Sequence, residues 1–252
     1  MSNFLVPKSL IMKYARKLKP NSLLIYLQLL SNNADIEQKD LDYILVHTSR
    51  YDISQMTGIA DNTLNPFLEE LVDSGLLVPI SKWDYIDEIE EVTGEYYDYD
   101  ELEGLGLIGR HDLYYRLTET YKNCEGGFIE VPRDILNIRE VPYDEGVIKI
   151  KPRHKLLWIL HCILAENKGY SFANEKYLAD TLGVTTKTIR NLHKQLKKAG
   201  LLKVTSFKKV LGHNHIHTEN YYYPQINIIT LSTNIKRETE INIDDELSDL
   251  VF

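Results

Sequence analysis

The stretch that decides the fold runs from Leu178 to Leu192 and reads LADTLGVTTKTIRNL. It predicts two helices joined by a short turn. The first helix, from Tyr177 to Leu182, ends at Gly183, because glycine adopts the left-handed backbone of a helix end at the lowest cost. After the turn, the side-chain oxygen of Thr185 or Thr186 can cap the second helix.

The second helix carries one apolar stripe and leads into a β-hairpin. Gly200 closes the helix, and a strand begins at Leu201. A return strand rich in β-forming residues runs from Tyr221 to Ile229. Helix, turn, helix and a two-stranded ribbon are the layout of a winged helix-turn-helix. The stripe is formed, at helical spacing, by Ile189, Leu192 and Leu196.

The same pattern occurs twice in the chain. Ten spaced residues between Ile53 and Leu77 match, at an offset of 125 positions, residues of like type between Leu178 and Leu202. The apolar segment from Leu23 to Leu27 also matches that from Leu156 to Leu160, once eight extra residues are allowed in the second half. We interpret this self-similarity as a tandem duplication.

Charge is distributed unevenly between the two halves. The formal net charge of the whole chain is −8. Residues 1–120 carry a net charge of −11, whereas residues 151–219 contain 13 Lys and Arg against four Asp and Glu, a net of +9. Attraction to phosphate is local and decays within about 8–10 Å at physiological salt. The basic block therefore favours a nucleic-acid partner for the second half, despite the acidic total.

Composition indicates an ordinary globular protein. The chain has 252 residues, of which 43% are hydrophobic and 26% charged, so two domains are expected and wholesale disorder is excluded. No apolar run reaches the ~18 residues of a membrane span, and the N-terminus does not resemble a secretory signal. Cys124 and Cys162 lie too far apart for a disulfide framework or a metal knuckle. We expect a cytoplasmic protein that does not contact a membrane.

Two motifs carry a family resemblance. The stretch Leu178–Leu192 resembles a bacterial DNA-binding helix-turn-helix, and Lys197–Leu202 resembles the exit from such a motif into a wing. Each half also begins with a Val-Pro pair, at Val6-Pro7 and at Val131-Pro132. This tandem arrangement is similar to winged-helix initiator and replisome-organiser proteins of Gram-positive plasmids and phages. The resemblance implies duplex DNA as partner and replication or its regulation as the role.

We predict a mainly α fold with small β-wings, of the α+β class, built as two tandem winged helix-turn-helix domains. Residues 1–120 form the first domain and include an acidic insertion at 84–109. Residues 126–232 form the second, DNA-binding domain. Residues 233–252 form an acidic C-terminal tail.

The second domain presents the predicted DNA-binding surface. On the second helix, the residues that point away from the apolar stripe are polar or basic. Arg190 can read guanine as a bidentate donor and Asn191 can read adenine, whereas the lysines hold phosphates. The alternative is a helix with ordinary surface lysines. The predicted contact residues are Thr185, Thr186, Lys187, Arg190, Asn191, Lys194 and Lys197 on the helix, with Lys208, Lys209 and His213 in the wing.

Three histidines in the wing raise the question of a metal. Alternation along a strand places His213, His215 and His217 on one face. No cysteine or carboxylate follows at a matching spacing, so we expect no metal and interpret the histidines as polar residues of a hairpin tip.

The first half lacks the positive charge of the second. Asn62, Asn65 and Glu69 occupy the positions equivalent to Lys187, Arg190 and Lys194. A phosphate backbone is not attracted to such a surface. We therefore expect this domain to mediate self-association, as a homodimer or higher oligomer, or to bind a partner protein. The alternative is an inert structural support. A basic stretch near the N-terminus is either a contact to flanking phosphates or a solvated helix face: Lys13, Arg16, Lys17 and Lys19.

The insertion of the first half is strongly acidic. Residues 84–103 contain ten Asp and Glu, no Lys or Arg, and interleaved tyrosines. This composition fits either an extended wing or a small helix with a loop, which could mimic phosphate, contact a basic partner or shield the second domain. Residues 104–109 satisfy the dinucleotide pattern GxGxxG, but an acidic run precedes them where a buried strand is required. We interpret them as a flexible connector.

No catalytic motif is present. The chain has no P-loop, no H-E-x-x-H and no G-x-S-x-G. We expect neither enzymatic activity nor a bound cofactor.

The C-terminal segment from Ile241 to Phe252 is acidic and ends in apolar residues. It loosely resembles the tip of bacterial single-stranded DNA-binding proteins and the ending of sliding-clamp-binding peptides. The resemblance implies docking on a protein of the replication machinery. The alternative is a disordered, solubilising tail.

These observations favour a sequence-specific, double-stranded DNA-binding protein of the replication-initiator or organiser type. A transcriptional repressor is the nearest alternative. A protein–protein adaptor without DNA binding is the competing class.

Overall fold

The structure, a computed structural model, describes residues 3–33, 41–94, 96, 112–143, 146–166, 168–210 and 216–225. Nine strands are described: Asn3–Pro7 (β1), Ile44–Ser49 (β2), Leu77–Pro79 (β3), Asp112–Leu117 (β4), Phe128–Pro132 (β5), Glu140–Tyr143 (β6), Gly146–Lys149 (β7), Leu202–Val210 (β8) and Ile216–Pro224 (β9). The described α-helices are Lys8–Tyr14 (α1), Pro20–Asn33 (α2), Arg50–Thr57 (α3), Asn65–Asp73 (α4), Lys82–Thr93 (α5), Asp134–Asn137 (α6), Pro152–Ala165 (α7), Glu175–Leu182 (α8) and Thr186–Lys198 (α9).

Contacts divide the chain into two units, Met1–Asn137 with Asp180–Val184, and Ile138–Ala179 with Thr185–Phe252. The first unit is built around α2, which is apolar on all sides and buried along most of its length. Strands β2, β4 and β3 form an antiparallel sheet with β4 in the centre. The hydroxyl of Tyr26 ties α2 to the chain after β4, because it donates to the carbonyl of Glu119 and accepts from its amide, both at 3.0 Å.

The strands that carry the two Val-Pro pairs form an antiparallel ladder, β1 with β5. Leu5 faces Glu130, and these two residues are separated by the 125 positions of the sequence repeat. The register is therefore symmetric about that pair. The side-chain amide of Gln28 also donates to the carbonyl of Leu136 at 3.3 Å. Because of such contacts, the first unit extends to Asn137. The sequence predicts that the second domain starts at residue 126.

Two helices joined by a turn lie between β2 and β3. Ser49 caps α3 by accepting a hydrogen bond from the Asp52 amide at 3.1 Å. Gly58 ends that helix with φ 71°. A 3-10 turn over Asp61–Thr63 leads into α4, and β3 follows the glycine at position 75.

The second unit has α7 as its central helix, with Trp158 fully buried. The indole N–H of Trp158 donates to the carbonyl of Leu201 at 2.8 Å, which fixes the start of β8 against α7. Strands β8 and β9 form a hairpin, and β6 and β7 form a second one. Strand β9 begins at Ile216, before the predicted start at Tyr221.

The first part of the acidic insertion is helical. Ser81 and Asp84 form a capping box at the start of α5. The carboxylate of Glu88 accepts hydrogen bonds from the Tyr43 hydroxyl, at 2.9 Å, and from Arg116 of β4. A helix is thus present, as in the helix-plus-loop alternative. Residues 97–111, with the GxGxxG pattern, and the tail 226–252 lie outside the described residues.

Mixed helices with small antiparallel sheets confirm the predicted α+β class. The tandem arrangement stays a prediction. In the part of the chain that the structure describes, no helix has both the length and the apolar character needed to cross a membrane.

Candidate nucleic-acid interface

Helix α9 begins and ends where the sequence predicts. The Thr185 side chain accepts a hydrogen bond from the Thr188 amide at 3.1 Å, so Thr185 is the cap. Gly200 follows the helix with φ 67°. The helix buries the predicted stripe and one further residue that the sequence analysis missed, His193.

The opposite face of α9 is open to solvent and basic. Thr186, in the first turn, is half-buried, and the side chain of Arg190 is 67% exposed. No acidic residue lies on the helix. Thr185 and the remaining predicted contact residues of α9 are all exposed: Lys187, Asn191, Lys194 and Lys197.

One ion pair ties this face to the preceding helix. The guanidinium Nε of Arg190 donates to a carboxylate oxygen of Glu175 at 2.6 Å, and the Glu175 side chain is 28% exposed. Glu175 lies in the first turn of α8. Glu175 therefore engages the Nε–H of Arg190 and competes with a base edge or a phosphate for its guanidinium charge. Nothing in the local sequence indicated this pair, because the two residues are neighbours only in space.

A buried histidine pair holds α9 against the rest of the second unit. The Nε2 atoms of His161 and His193 lie 2.9 Å apart, and the His161 Nδ1 lies 3.1 Å from the Ser171 hydroxyl. His193 stacks on Tyr222 of β9, with ring centroids 4.4 Å apart. The pair thus joins α7, α9 and the wing strand.

The environment keeps both imidazoles neutral. Burial lowers the pKa of His193 from 6.5 to about 4. Burial, with the neighbouring His193, holds the pKa of His161 well below 6.5. A hydrogen bond between two imidazole nitrogens requires a proton on one and a lone pair on the other. Protonation of both rings would therefore break this connection.

The wing places two predicted contact residues on β8. Lys208 faces Thr218, and Lys209 faces His217, in the register of the hairpin. The structure gives the backbone of these two lysines, so the direction of their side chains stays a prediction. His213 and His215 lie outside the described residues. The question of a metal site in the wing concerns these residues and therefore also lies outside them.

The corresponding surface in the first unit has no such basic face. Asn62, Asn65 and Glu69 are exposed, as are Lys187, Arg190 and Lys194 at the equivalent positions. Arg50 contacts this surface: its Nε donates to Asp61 at 2.8 Å and its Nη1 donates to Asn65 at 2.5 Å.

The N-terminal basic stretch is partly engaged in a further ion pair. Lys13 lies 3.0 Å from the carboxylate of Glu125, and this contact raises the lysine pKa. Arg16, Lys17 and Lys19 are exposed.

Comparison with known proteins agrees with the geometry of the second unit. Residues 149–202 match the family model of a helix-turn-helix domain, which covers α7, α8 and α9. No curated protein matches the chain. The match supports DNA binding in general, and most of the residues predicted to contact DNA lie on the exposed face of α9.

Proposed function

We propose that this chain is a sequence-specific, double-stranded DNA-binding protein of the replication-initiator or organiser type, with two tandem winged helix-turn-helix domains. In this proposal α9 enters the major groove, and the β8–β9 hairpin contacts the flanking backbone. The first domain mediates self-association, as a homodimer or higher oligomer.

The observation that carries the proposal is the exposed cationic face of α9, within the segment that matches a helix-turn-helix family. An α-helix with its side chains is about 10–12 Å across, and the major groove of B-DNA is about 12 Å wide, so the groove admits the 13-residue helix α9. Arg190 is the candidate for reading guanine and Asn191 for reading adenine. Lys187 and Lys194 lie on the same side as Arg190, where they can neutralise phosphates.

Matching backbone hydrogen bonds support the proposed duplication. The amide of Leu76 donates to the carbonyl of Leu71 at 3.1 Å, and 125 positions later Leu201 donates to Leu196 at 2.9 Å. The helix caps agree as well. Ser49 accepts from the amide of Asp52, and Asn174 accepts from the amide of Tyr177 at 2.8 Å.

The exposed polar face of α4 supports a different role for the first domain. Its acidic and amide side chains offer phosphate no charge complementarity, so duplex DNA is the less favourable partner there. The symmetric register of β1 with β5 is the kind of pairing that a two-fold interface between identical chains uses. Self-association is therefore the proposed role.

Selection of bound fragments from the genome of the host or its mobile elements tests the proposal. Recovery of iterated repeats at an origin supports initiation. Recovery of a promoter palindrome supports the repressor alternative. Failure to retain any duplex between 50 and 300 mM salt supports the adaptor.

A salt titration on the recovered duplex tests the predicted contacts. If lysines of α9 hold phosphates, the logarithm of affinity falls linearly with the logarithm of salt concentration. Replacing Lys187 by alanine is expected to reduce that slope by about one. A slope that is flat in the unmodified protein contradicts the proposal.

A further inference from the structure

Strand β9 has an open edge on the side opposite β8. Ser171 and Tyr222 exchange two backbone hydrogen bonds there, at 2.9 and 2.8 Å. Backbone groups of every second residue of a strand point to the same side. The amides and carbonyls of Asn220 and Thr218 therefore face the same side as those of Tyr222. Among the described residues, none donates to or accepts from them on that side.

The corresponding edge in the first unit is closed by a strand. Strand β2 pairs with β4 from Ile44 facing Leu117 to Ser49 facing Asp112. Within that ladder, Val46 faces Tyr115, and Val46 precedes Ser171 by the 125 positions of the repeat. In the second unit the pairing stops after one bridge. A groove of about 990 Å³ opens beside β9 instead, lined by Lys168, Tyr170, Phe172, Glu175, Tyr177 and the strand segment Thr218–Tyr222.

Aromatic side chains form much of the groove wall. The rings of Tyr170 and Tyr221 lie 4.9 Å apart, and Tyr170 also contacts Phe172 at 6.4 Å between centroids. Phe172 is 58% exposed and Tyr177 is 39% exposed. Large apolar surface of this kind is costly to leave in water and is typical of a binding site.

We propose that this groove binds an extended peptide segment of a partner protein, which adds as a strand to the open edge of β9. The backbone of the peptide pairs with Asn220 and Thr218, and apolar side chains at alternate positions contact the aromatic walls. The correspondence with β2 rests on the proposed duplication, whereas the open edge and the groove do not.

The charges of the lining favour a neutral or basic peptide. Glu175 and Glu219 contribute two carboxylates, against one amine from Lys168. A groove for single-stranded nucleic acid requires an excess of positive charge to follow the phosphates. The same argument disfavours the acidic C-terminal segment of this chain as the occupant, because it has four acidic side chains between Asp244 and Asp249.

Selection from a random dodecapeptide library displayed on phage tests the proposal with the full chain. Three variants make the readout specific. Asn220→Pro removes the backbone donor at this position and blocks strand addition, whereas Asn220→Ala keeps that donor. Phe172→Ala removes an aromatic ring from the groove lining. Melting temperature and duplex affinity of each variant are measured in parallel, so that a folding defect or failure of the proposed DNA binding is recognised separately.

The proposal expects a family of peptides with alternating apolar residues. Their synthetic versions are expected to bind wild type and Asn220→Ala equally, and to bind Asn220→Pro and Phe172→Ala at least tenfold more weakly. Absence of an enriched family, or equal binding to all variants, overturns it. Binding of a dT20 oligonucleotide that Phe172→Ala weakens tenfold, without peptide enrichment, overturns it in favour of nucleic acid. Displacement of the selected peptides by a peptide of residues 241–252 overturns it in favour of the chain's own tail.

Discussion

Residues 49–79 and 174–204, the two segments that the proposed duplication relates, differ in the charges at one pair of contacting positions. In the second segment, Glu175 on the first helix holds Arg190 on the second. In the first segment, the equivalent positions carry Arg50 and Asn65, which also contact each other. The polar connection between the helices is present in both, but the cation has moved from the second helix to the first.

This difference shows which features the fold requires and which it leaves open. The helix caps and the hydrogen bonds after the second helix recur at the offset of 125, because they satisfy backbone groups that a helix end leaves unpaired. The exposed positions make no such contribution, so their charges are free to change. A basic face and an acidic face are therefore built on the same backbone.

The largest effect is expected when the second segment receives the residues of the first. The variant Lys187→Asn/Arg190→Asn/Lys194→Glu should lose more than about 100-fold in duplex affinity, since phosphate contacts and a bidentate base contact are removed together. Stability should change by less than about 0.5 kcal/mol, because the three side chains are exposed. Fluorescence anisotropy on the selected duplex measures the affinity.

The matched control changes the net charge by the same amount elsewhere. Lys149→Glu/Arg153→Glu reverses two exposed cations that do not lie on α9. Affinity for DNA should fall much less in this variant. Equal losses of duplex affinity in both variants would mean that only the total charge matters. The proposal that α9 contacts DNA would then be wrong.

The buried histidines make the second unit sensitive to acid. The pKa of His193 in the folded protein is about 4, below its ordinary value of 6.5, so the unfolded chain takes up the proton first. The full stability is present above about pH 6.5 and decreases as the pH falls toward 4. At pH 5 His193 alone accounts for a loss of about 2 kcal/mol, and His161 adds to it. The loss is measured as the change in urea midpoint between pH 7.5 and pH 5, multiplied by the m-value.

The first half supplies the comparison variant for this pH dependence. Gln28 and Leu68 occupy the positions equivalent to His161 and His193. His161→Gln/His193→Leu should flatten the pH dependence between 7.5 and 5. If the double variant loses as much stability on acidification as the unmodified protein, other groups cause the effect.

Glycine at the end of the second helix should be required equally in both segments. Gly75 and Gly200 have φ of 75° and 67°. A Cβ at Gly75 would meet no atom within 4 Å, so Gly75→Ala carries only the conformational cost, about 1 kcal/mol. Asparagine tolerates this backbone better and should cost less. Urea unfolding measures the stability of the alanine and asparagine variants. An alanine variant of unchanged stability would contradict the left-handed backbone at this helix end.

The smallest effect is expected at the ion pair of the second segment. Glu175→Gln removes the carboxylate that contacts Arg190, so duplex affinity should rise by roughly threefold, because a negative charge that repels phosphate and competes for the guanidinium is lost. Arg50→Gln in the first segment is the control and should leave affinity unchanged. A loss of affinity in Glu175→Gln would instead show that Glu175 orients Arg190 for its base.

Local patterns predicted the elements of the second unit well. The apolar stripe, the Thr185 cap and the glycines specify α8, α9 and the start of β8 through contacts between near neighbours in sequence. The Glu175–Arg190 and His161–His193 contacts were missed, because each joins residues on different helices. The pairing of β1 with β5 was missed for the same reason, since a ladder between strands more than 120 residues apart has no local signal.

The sequence by itself determined the class of the fold, the position of the helix-turn-helix and the polarity of charge between the halves. These features follow from periodicity, helix-end chemistry and composition, which act within a few residues. Only the tertiary structure decided that Arg190 is held by Glu175, that two histidines are buried together, and that the edge of β9 stays open beside an aromatic groove. Burial, pairing and exposure depend on which distant segments meet, and that is a property of the folded chain.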